Sequence, residues 1–206
     1  MSLNSKRFKS IIFLVIFITA CNQNRSVHAQ TYKDSILAFR QNYIDNHEVV
    51  GKSDKKYLHF YAVDPECRVI ATFKRIIDKK GLIMNTSSGM KQHYFKYGEL
   101  TFKLKDSLLH LFVYQSATLM KQEKLKDYLF VPFGDATSGV ESYGGGRYLE
   151  FFVSDIKNNH VVLDFNKAYN PYCAYTTGYD CPIPPPENLL PVPVRAGEKN
   201  YGKLIH

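Results

Sequence analysis

The sequence predicts a mainly β protein: an antiparallel sandwich or partly closed barrel with one N-terminal helix and a long C-terminal strap rich in proline and tyrosine. Two observations lead to this prediction. From residue 57 to residue 165, short stretches rich in β-branched and aromatic residues alternate with turn-forming stretches. The connections between most of these stretches are also too short for parallel crossovers, so neighbouring strands are expected to form antiparallel hairpins.

About eight stretches are expected to be strands. In chain order they read YLHFYAV, CRVIATFKRI, GLIMNTSS, HYFKYGELTFKL, SLLHLFVYQ, YLFVPF, GRYLEFFVS and HVVLDF. DPE, DKKG, SGMK and KDS, which are typical of turns, separate the first five. The glycines at 144–146 precede a strand rather than a helix, so they predict a turn and not a phosphate-binding loop.

An amphipathic helix is expected at residues 31–47. Thr31 is the predicted N-cap, and Asp34 in the first turn suits the helix dipole. Lys33, Arg40 and Asn42 are expected away from the apolar face. The residues predicted to share that face are Tyr32, Ile36, Phe39, Tyr43 and Ile44.

The first thirty residues are expected to export and anchor the protein. A basic stretch, NSKRFKS, precedes an apolar run that is too short to cross the ~30 Å core of a bilayer. The run ends in Ile-Thr-Ala-Cys at 18–21, which resembles a bacterial lipobox. Residues 1–20 are therefore predicted to be a lipoprotein signal peptide, 21–30 a polar tether and 31–206 a single β-rich domain. An ordinary cleaved signal peptide is the alternative.

Cys21 is the predicted lipidation site, so labelled palmitate is expected to enter the protein at this residue. The membrane is therefore an expected partner, which the protein would contact only through its lipid anchor. No acidic run follows Cys21, so the expected location is the outer membrane, facing the periplasm.

Composition allows one well-formed core and gives no sign of a nucleic-acid partner. The 206 residues are 45% hydrophobic and 14% aromatic, with a formal net charge of +8. Part of that charge comes from Lys6, Arg7 and Lys9. Runs of Lys and Arg interleaved with aromatic residues are absent from the sequence, so the basic balance is interpreted as a solvated surface.

Three interpretations of Cys173 and Cys181 remain open: a disulfide, two packed thiols, or a metal site with His160. Export favours the disulfide. The spacing is not a standard zinc spacing, and no fourth ligand is evident, so neither a metal nor a cofactor is expected. Cys67 is expected to be a small core residue.

The stretches PFGDATSGVESYGGGRYLEF, LDFNKAYNPYCAYTTGYDCPIPPPENLLPVPVRAGEKNYG and YFKYGELTFKL resemble the bacterial and archaeal family catalogued as domain of unknown function 1684. The resemblance is dense over residues 92–202 and looser in the N-terminal third. It implies no established activity. The chain departs from the family's frequent Ser-Pro-Leu step after the first helix, where it has HEVVGKSDK.

A cluster of polar residues around the last strands is the candidate site, either as a ligand pocket or as a structural network. Its members are Asp135, Thr137, Tyr143, Arg147, Asp164, Asn166, Asn170, Glu187 and Asn188. Arg147 offers a planar fork suited to a small anionic ligand, or to a buried pair with Asp164 or Glu187.

Two function classes follow from this cluster. The first is a non-catalytic lipoprotein that binds a small ligand or an envelope protein. The alternative is an envelope hydrolase that uses Asp135, Arg147 and Asp164. We favour binding because the sequence shows no nucleophile–base pair or metal signature.

Overall fold

The computed structural model of the protein describes residue 28 and residues 30–203. Residues 30–45 are helical and form α1, and residue 28 is helical as well. The strands described are β1 (Arg68–Arg75), β2 (Leu82–Asn85), β3 (Lys91–Leu104), β4 (Ser107–Ser116), β5 (Tyr128–Phe133), β6 (Arg147–Phe152) and β7 (His160–Asp164). Short 3-10 turns make up the remaining regular structure of this part of the chain.

All strand pairs are antiparallel, in the order β6-β5-β4-β3-β1-β7, and β2 pairs with the first residues of β3. The sheet curls into a nearly closed barrel, with β6 and β7 on either side of the remaining seam. The predicted mainly β, antiparallel fold with one N-terminal helix is confirmed.

The core fills the inside of the barrel because side chains alternate between the two faces of each strand. On β6, Leu149 and Phe151 belong to the main hydrophobic cluster. Tyr148 belongs to a second cluster, formed on the outer face with Tyr94, Tyr114 and Phe130. The sheet is therefore apolar on both faces in this region, so another part of the chain is expected to pack on the outer face. Cys67 is buried in the inner cluster, as expected.

The first predicted strand, YLHFYAV, is absent. Tyr57 ends a 3-10 helix, Lys52–Tyr57, and Phe60 forms only an isolated bridge with Glu198. The backbone N–H of Tyr61 donates to the carbonyl of Gly197 at 3.0 Å. This segment therefore pairs with the C-terminal part of the chain rather than with a neighbouring strand, although its pattern resembles that of a strand.

Helix α1 also differs from its prediction in two details. Residue 30 is already helical, so Thr31 lies inside the helix and is not its N-cap. Arg40 is buried rather than solvated, because its Nη1 donates to the Tyr61 carbonyl at 2.8 Å and its guanidinium lies 5.1 Å from the Phe60 ring centroid. Ile36 is buried as expected.

The predicted signal peptide and the lipidation site Cys21 lie outside the described residues. Over the part of the chain that the structure covers, no helix is both long enough and apolar enough to span a membrane.

Candidate functional site

The outer face of β3, β5 and β6 forms the floor of an aromatic pocket, which we call the tyrosine-lined pocket. Tyr94, Tyr128, Phe130, Tyr148 and Glu150 all line it. Phe130 and Glu150 lie directly opposite each other in the β5–β6 register. The strand pleat thus presents these side chains on the face opposite to the barrel core.

The rings of the floor contact one another in sequence. Phe130 and Tyr148 meet edge to face, with centroids 4.7 Å apart. Tyr94 lies 5.8 Å from Phe130 in a stacked arrangement. Tyr169 meets Tyr148 edge to face at 5.8 Å. Such geometries are the favoured ones for aromatic pairs, so the floor is a packed surface rather than a set of independent side chains.

The strap, which we define as residues 165–203, supplies one wall. Tyr169 joins β6 through an antiparallel bridge to Tyr148, with N–H to carbonyl distances of 2.9 and 3.2 Å. Farther along, Tyr172 and Tyr179 face each other at 5.1 Å. Because Tyr169 occupies the free edge of β6, the strap begins in a fixed register with the sheet.

A disulfide between Cys173 and Cys181 closes the loop that carries Tyr179. The loop is also tied to β2 and its turn, where the Ser87 N–H donates to the Cys181 carbonyl at 2.9 Å. Of the three interpretations of the cysteine pair, the structure has the disulfide. Among the described residues, no group of three or more His, Cys, Asp or Glu is arranged to hold a metal ion.

Helix α1 completes the pocket with Phe39, Asn42 and Tyr43. The cavity has a volume of about 620 Å³ and lies between the sheet, the strap and the helix. This volume falls within the range of small-molecule sites, roughly 300–1,000 Å³.

Glu150 is held in place by two tyrosine hydroxyls. Its Oε2 accepts hydrogen bonds from Tyr128 at 2.5 Å and from Tyr169 at 2.8 Å. Within the described residues, Oε1 accepts none. Burial and the neighbouring carboxylate of Glu150 raise the pKa of the Tyr128 hydroxyl, and burial is also the main cause that raises the pKa of Tyr169. Both hydroxyls therefore stay protonated and act as donors.

Other hydroxyls of the pocket also have partners. Tyr148 donates to the Pro182 carbonyl at 2.5 Å, and Tyr172 donates to Glu48 Oε2 at 2.6 Å. Tyr94 donates to the side chain of Gln92 at 3.2 Å. Since these hydroxyls are engaged within the protein, the pocket offers mainly ring surfaces and the carboxylates of Glu150 and Asp180.

Arg147 and Asp135, two of the sequence-predicted residues, form a buried ion pair elsewhere. Arg147 Nη2 lies 2.7 Å from Asp135 Oδ2, and both side chains are 0% exposed. The guanidinium also donates to the carbonyls of Val194, Ala196 and Glu198. Arg147 thus fastens the C-terminal part of the strap and is not available to a ligand in this structure.

Thr137 belongs to the same network. Its backbone N–H donates to Asp135 Oδ1 at 2.8 Å, and its hydroxyl lies 2.8 Å from that of Ser142. These contacts fix the turn between β5 and β6.

Asp164 lies apart from Arg147, contrary to the expected pairing. Its Oδ1 accepts from the Tyr32 hydroxyl at 2.8 Å and from the backbone N–H of Asn166 at 3.1 Å. The Asn166 side chain bonds the backbone N–H and carbonyl of Asp64. These two residues join α1 and the chain before β1 to the start of the strap.

Glu187 also has a partner other than Arg147. Its Oε1 lies 3.1 Å from Lys96 Nζ and accepts from the Tyr114 hydroxyl at 3.1 Å. The half-exposed pair fixes the strap over the outer face of β3 and β4.

Asn188 bridges β4 and β5, which share a single register pair. Its Oδ1 accepts from the Phe112 N–H at 2.7 Å, and its Nδ2 donates to the carbonyls of Phe112 and Pro132 at 2.9 and 2.7 Å. Proline has no backbone N–H, so the asparagine side chain supplies contacts that Pro132 cannot make.

Asn170 is the one member of the predicted polar cluster that lines the pocket. Its Nδ2 donates to the Lys199 carbonyl at 2.8 Å. Tyr143 packs in a separate hydrophobic cluster with Val50, Leu58 and Tyr175. The predicted cluster is therefore spread over several contacts that hold the strap.

Glu198 is a buried acid that the sequence does not single out. It is 0% exposed, and its carboxylate accepts from Tyr175, Tyr43 and the backbone N–H of Asn170. Burial raises the pKa of Glu198 to about 7, although these donors and the Arg147 charge act in the opposite direction. Its local sequence, AGEKN, is indistinguishable from that of an exposed loop.

These features define a class: a nearly closed antiparallel barrel whose outer face, covered by a disulfide-closed strap, carries an aromatic pocket. The chain belongs to the family described as protein of unknown function (DUF1684), whose model matches residues 55–199. That range includes the floor and the strap wall of the pocket, while α1 precedes it.

A similar solved structure is the solution NMR structure of an uncharacterized protein of Haloarcula marismortui. It is 29% identical, with a TM-score of 0.59, and the match covers 87% of this chain and 96% of that chain. No curated protein matches this chain.

Proposed function

We propose that the protein is a non-catalytic, membrane-anchored envelope lipoprotein whose β domain binds a small molecule in the tyrosine-lined pocket. The observation that carries the proposal is the composition of the cavity. Seven tyrosines and two phenylalanines surround about 620 Å³, together with the positioned carboxylate of Glu150. Large apolar cavities with a few fixed polar groups are the usual form of ligand sites.

Binding is favoured over hydrolysis by the chemistry of the lining residues. The pocket contains no serine, threonine or histidine, and its one cysteine, Cys181, is in the disulfide. The hydrolase alternative relied on Asp135, Arg147 and Asp164. Two of these form a closed ion pair, and Asp164 has other partners. No observation supports a nucleophile–base arrangement there.

A blocked-pocket variant tests the proposal. Asn42 is exposed on α1 and lines the cavity, so Asn42→Trp places a large ring at its mouth. Gln41→Trp, at the neighbouring exposed position outside the lining, is the matched control. The chain has no other tryptophan, so each variant also reports its own environment by fluorescence.

The experiment is a screen of neutral, cationic and anionic small molecules against the full-length protein by isothermal titration calorimetry. We expect compounds that bind wild type and Gln41→Trp but not Asn42→Trp. If no compound of any charge class binds, or if Asn42→Trp binds as well as wild type, the proposed function is wrong.

The anchoring part of the proposal rests on the lipobox-like sequence that ends at Cys21. The disulfide is consistent with it, because disulfides persist in oxidising compartments such as the periplasm. Labelled palmitate should enter the wild-type protein and not Cys21→Ser. Equal labelling of both would remove the anchor and the proposed outer-membrane location.

A further inference from the structure

We infer that the pocket selects an organic cation, a ligand that carries an alkylated ammonium group. This inference rests on the proposed function and names the ligand class of the same site. It replaces the expectation of an anion, which depended on Arg147, because that guanidinium is fully buried against Asp135.

The lining of the pocket is acidic. The cavity is lined by two acids, Glu150 and Asp180, and by no lysine, arginine or histidine. The chain as a whole has 27 Lys and Arg against 19 Asp and Glu, so the pocket is opposite in sign to the whole protein. A cation is the ligand whose charge complements such a site.

The aromatic surfaces of the pocket also suit a cation. A cation is attracted to the face of an aromatic ring within about 6 Å of its centroid, and cages of such rings recognise quaternary ammonium groups. Phe39, at the edge of the cavity, already has a protein cation 5.2 Å from its centroid, the Nζ of Lys167. The rings of Tyr128, Tyr148 and Tyr169 line the same cavity as Glu150, and none of the other lining residues is a cation.

The carboxylate of Glu150 is held in a fixed position. Tyr128 and Tyr169 both bind Oε2 of Glu150, which fixes the side chain and leaves Oε1 without a partner among the described residues. The acid is therefore preorganised next to the rings instead of paired with a base. Preorganisation lowers the entropic cost of binding.

A neighbouring cavity at the barrel seam shows the contrast. It has a volume of about 510 Å³ and shares Glu150 and Tyr169 with the pocket, but Arg68, Lys167 and Asp164 also line it. Acids and bases are mixed there, so the seam favours neither sign of ligand. The selectivity for a cation belongs to the tyrosine-lined pocket.

Choline and neohexanol form a matched pair of probes, since a tert-butyl group in neohexanol replaces the trimethylammonium of choline. Their affinities for the full-length protein are measured by isothermal titration calorimetry. Methyl glucoside is the neutral polyol control, and 3,3-dimethylbutanoate is the anionic control. We expect choline to bind at least about fivefold more tightly than any of the others, which corresponds to two unit charges ~4 Å apart in bulk water.

Glu150→Gln keeps an acceptor for both tyrosine hydroxyls and removes the charge. The substitution should weaken the affinity for choline by at least about fivefold and leave the affinity for neohexanol unchanged. Glu123→Gln, at an exposed position outside the pocket, makes the same change in net charge and should alter neither. Added salt should weaken the binding of choline and not that of neohexanol.

Three results overturn the inference: no choline binding, equal affinities for choline and neohexanol, or equal choline affinities of wild type and Glu150→Gln. If one of these three results is found while neohexanol or methyl glucoside binds wild type but not Asn42→Trp, the pocket is a ligand site and only the cation inference is wrong. If no compound of the broader screen binds, the proposed function itself is wrong.

Discussion

At the scale of single residues, a carboxyl group without access to water costs free energy when it ionises. Glu198 is such a group, and burial raises its pKa from 4.5 to about 7. The folded state therefore holds this proton more tightly than the unfolded chain. Between about pH 4.5 and pH 7 the folded protein binds more protons, so the contribution of Glu198 to stability falls as pH rises.

The predicted result is a pH-dependent difference between wild type and Glu198→Gln. Below about pH 4.5 the carboxyl group is protonated in both states and contributes no slope. By pH 8 its ionisation has cost the folded wild type about 3 kcal/mol, a cost that glutamine avoids. In urea unfolding from pH 4 to pH 8, the free energy of unfolding of Glu198→Gln should increase relative to that of wild type as pH rises.

The control for net charge is Glu123→Gln, an exposed acid in a surface ion pair with Lys126. A difference between Glu198→Gln and wild type that stays flat across the pH range would show that Glu198 ionises as readily in the folded chain as in the unfolded one.

Two arginine–carboxylate pairs differ in burial and in the number of further partners of the arginine. Arg147 and Asp135 are fully buried, whereas Arg195 and Glu141 form an exposed pair with a shortest distance of 2.7 Å. Removal of one partner from a buried pair costs about 3–5 kcal/mol, and a surface pair contributes about 0–1 kcal/mol. Arg147→Ala should therefore lower the melting temperature markedly, and Arg195→Ala should lower it little.

The double variant identifies the partner. Arg147→Ala with Asp135→Ala should destabilise less than the sum of the single changes, because each removes the same ion pair. Arg147→Ala with Asp164→Ala should be additive, since the two side chains share no hydrogen-bond partner among the described residues. Additivity in the first pair would contradict the buried ion pair.

At the scale of elements, Asn188 replaces part of a strand ladder. Three hydrogen bonds connect its side chain to Phe112 of β4 and Pro132 of β5. Each buried backbone group left without a partner costs about 1–3 kcal/mol. Asn188→Ala should therefore lower the free energy of unfolding by about 3 kcal/mol or more.

Hydrogen exchange checks this element directly, because amides of β4 and β5 should lose protection before those of β1 and β3. Asn200→Ala is the control, since the exposed Asn200 also donates through Nδ2 to a backbone carbonyl, that of Val140. Equal effects of the two substitutions would mean that Asn188 does not hold the two strands together.

The strands themselves were largely predictable from the sequence. Alternation in RYLEFF separates Leu149 and Phe151 from Tyr148 and Glu150, and β1 to β7 lie within predicted stretches or extend them by one or two residues. The stretch YLHFYAV has the same alternation but pairs with the C-terminal segment. Local pattern predicts the pleat of a strand and does not identify its neighbour.

At the scale of the whole molecule, the site depends on contacts between distant parts of the chain. Tyr43 of α1 reaches Glu198 across 155 positions, and Tyr169 covers the edge of β6. No local signal distinguishes Glu198 from an exposed loop acid, or selects Asp135 rather than Asp164 as the partner of Arg147. The sequence predicted residues that hold the strap, while the pocket appears only when the strap is folded over the sheet.

Intermolecular NMR contacts show whether the tyrosine-lined pocket takes an organic cation. Full-length protein with isotope-labelled tyrosine is mixed with choline, and nuclear Overhauser effects from the trimethylammonium protons to tyrosine rings are recorded. Tyr57 and Tyr201, a ring pair 6.2 Å apart outside the pocket, serve as the internal control. We expect contacts to Tyr128, Tyr148 and Tyr169 that vanish in Asn42→Trp. Contacts to Tyr57 and Tyr201 instead, or contacts that survive in Asn42→Trp, would contradict it.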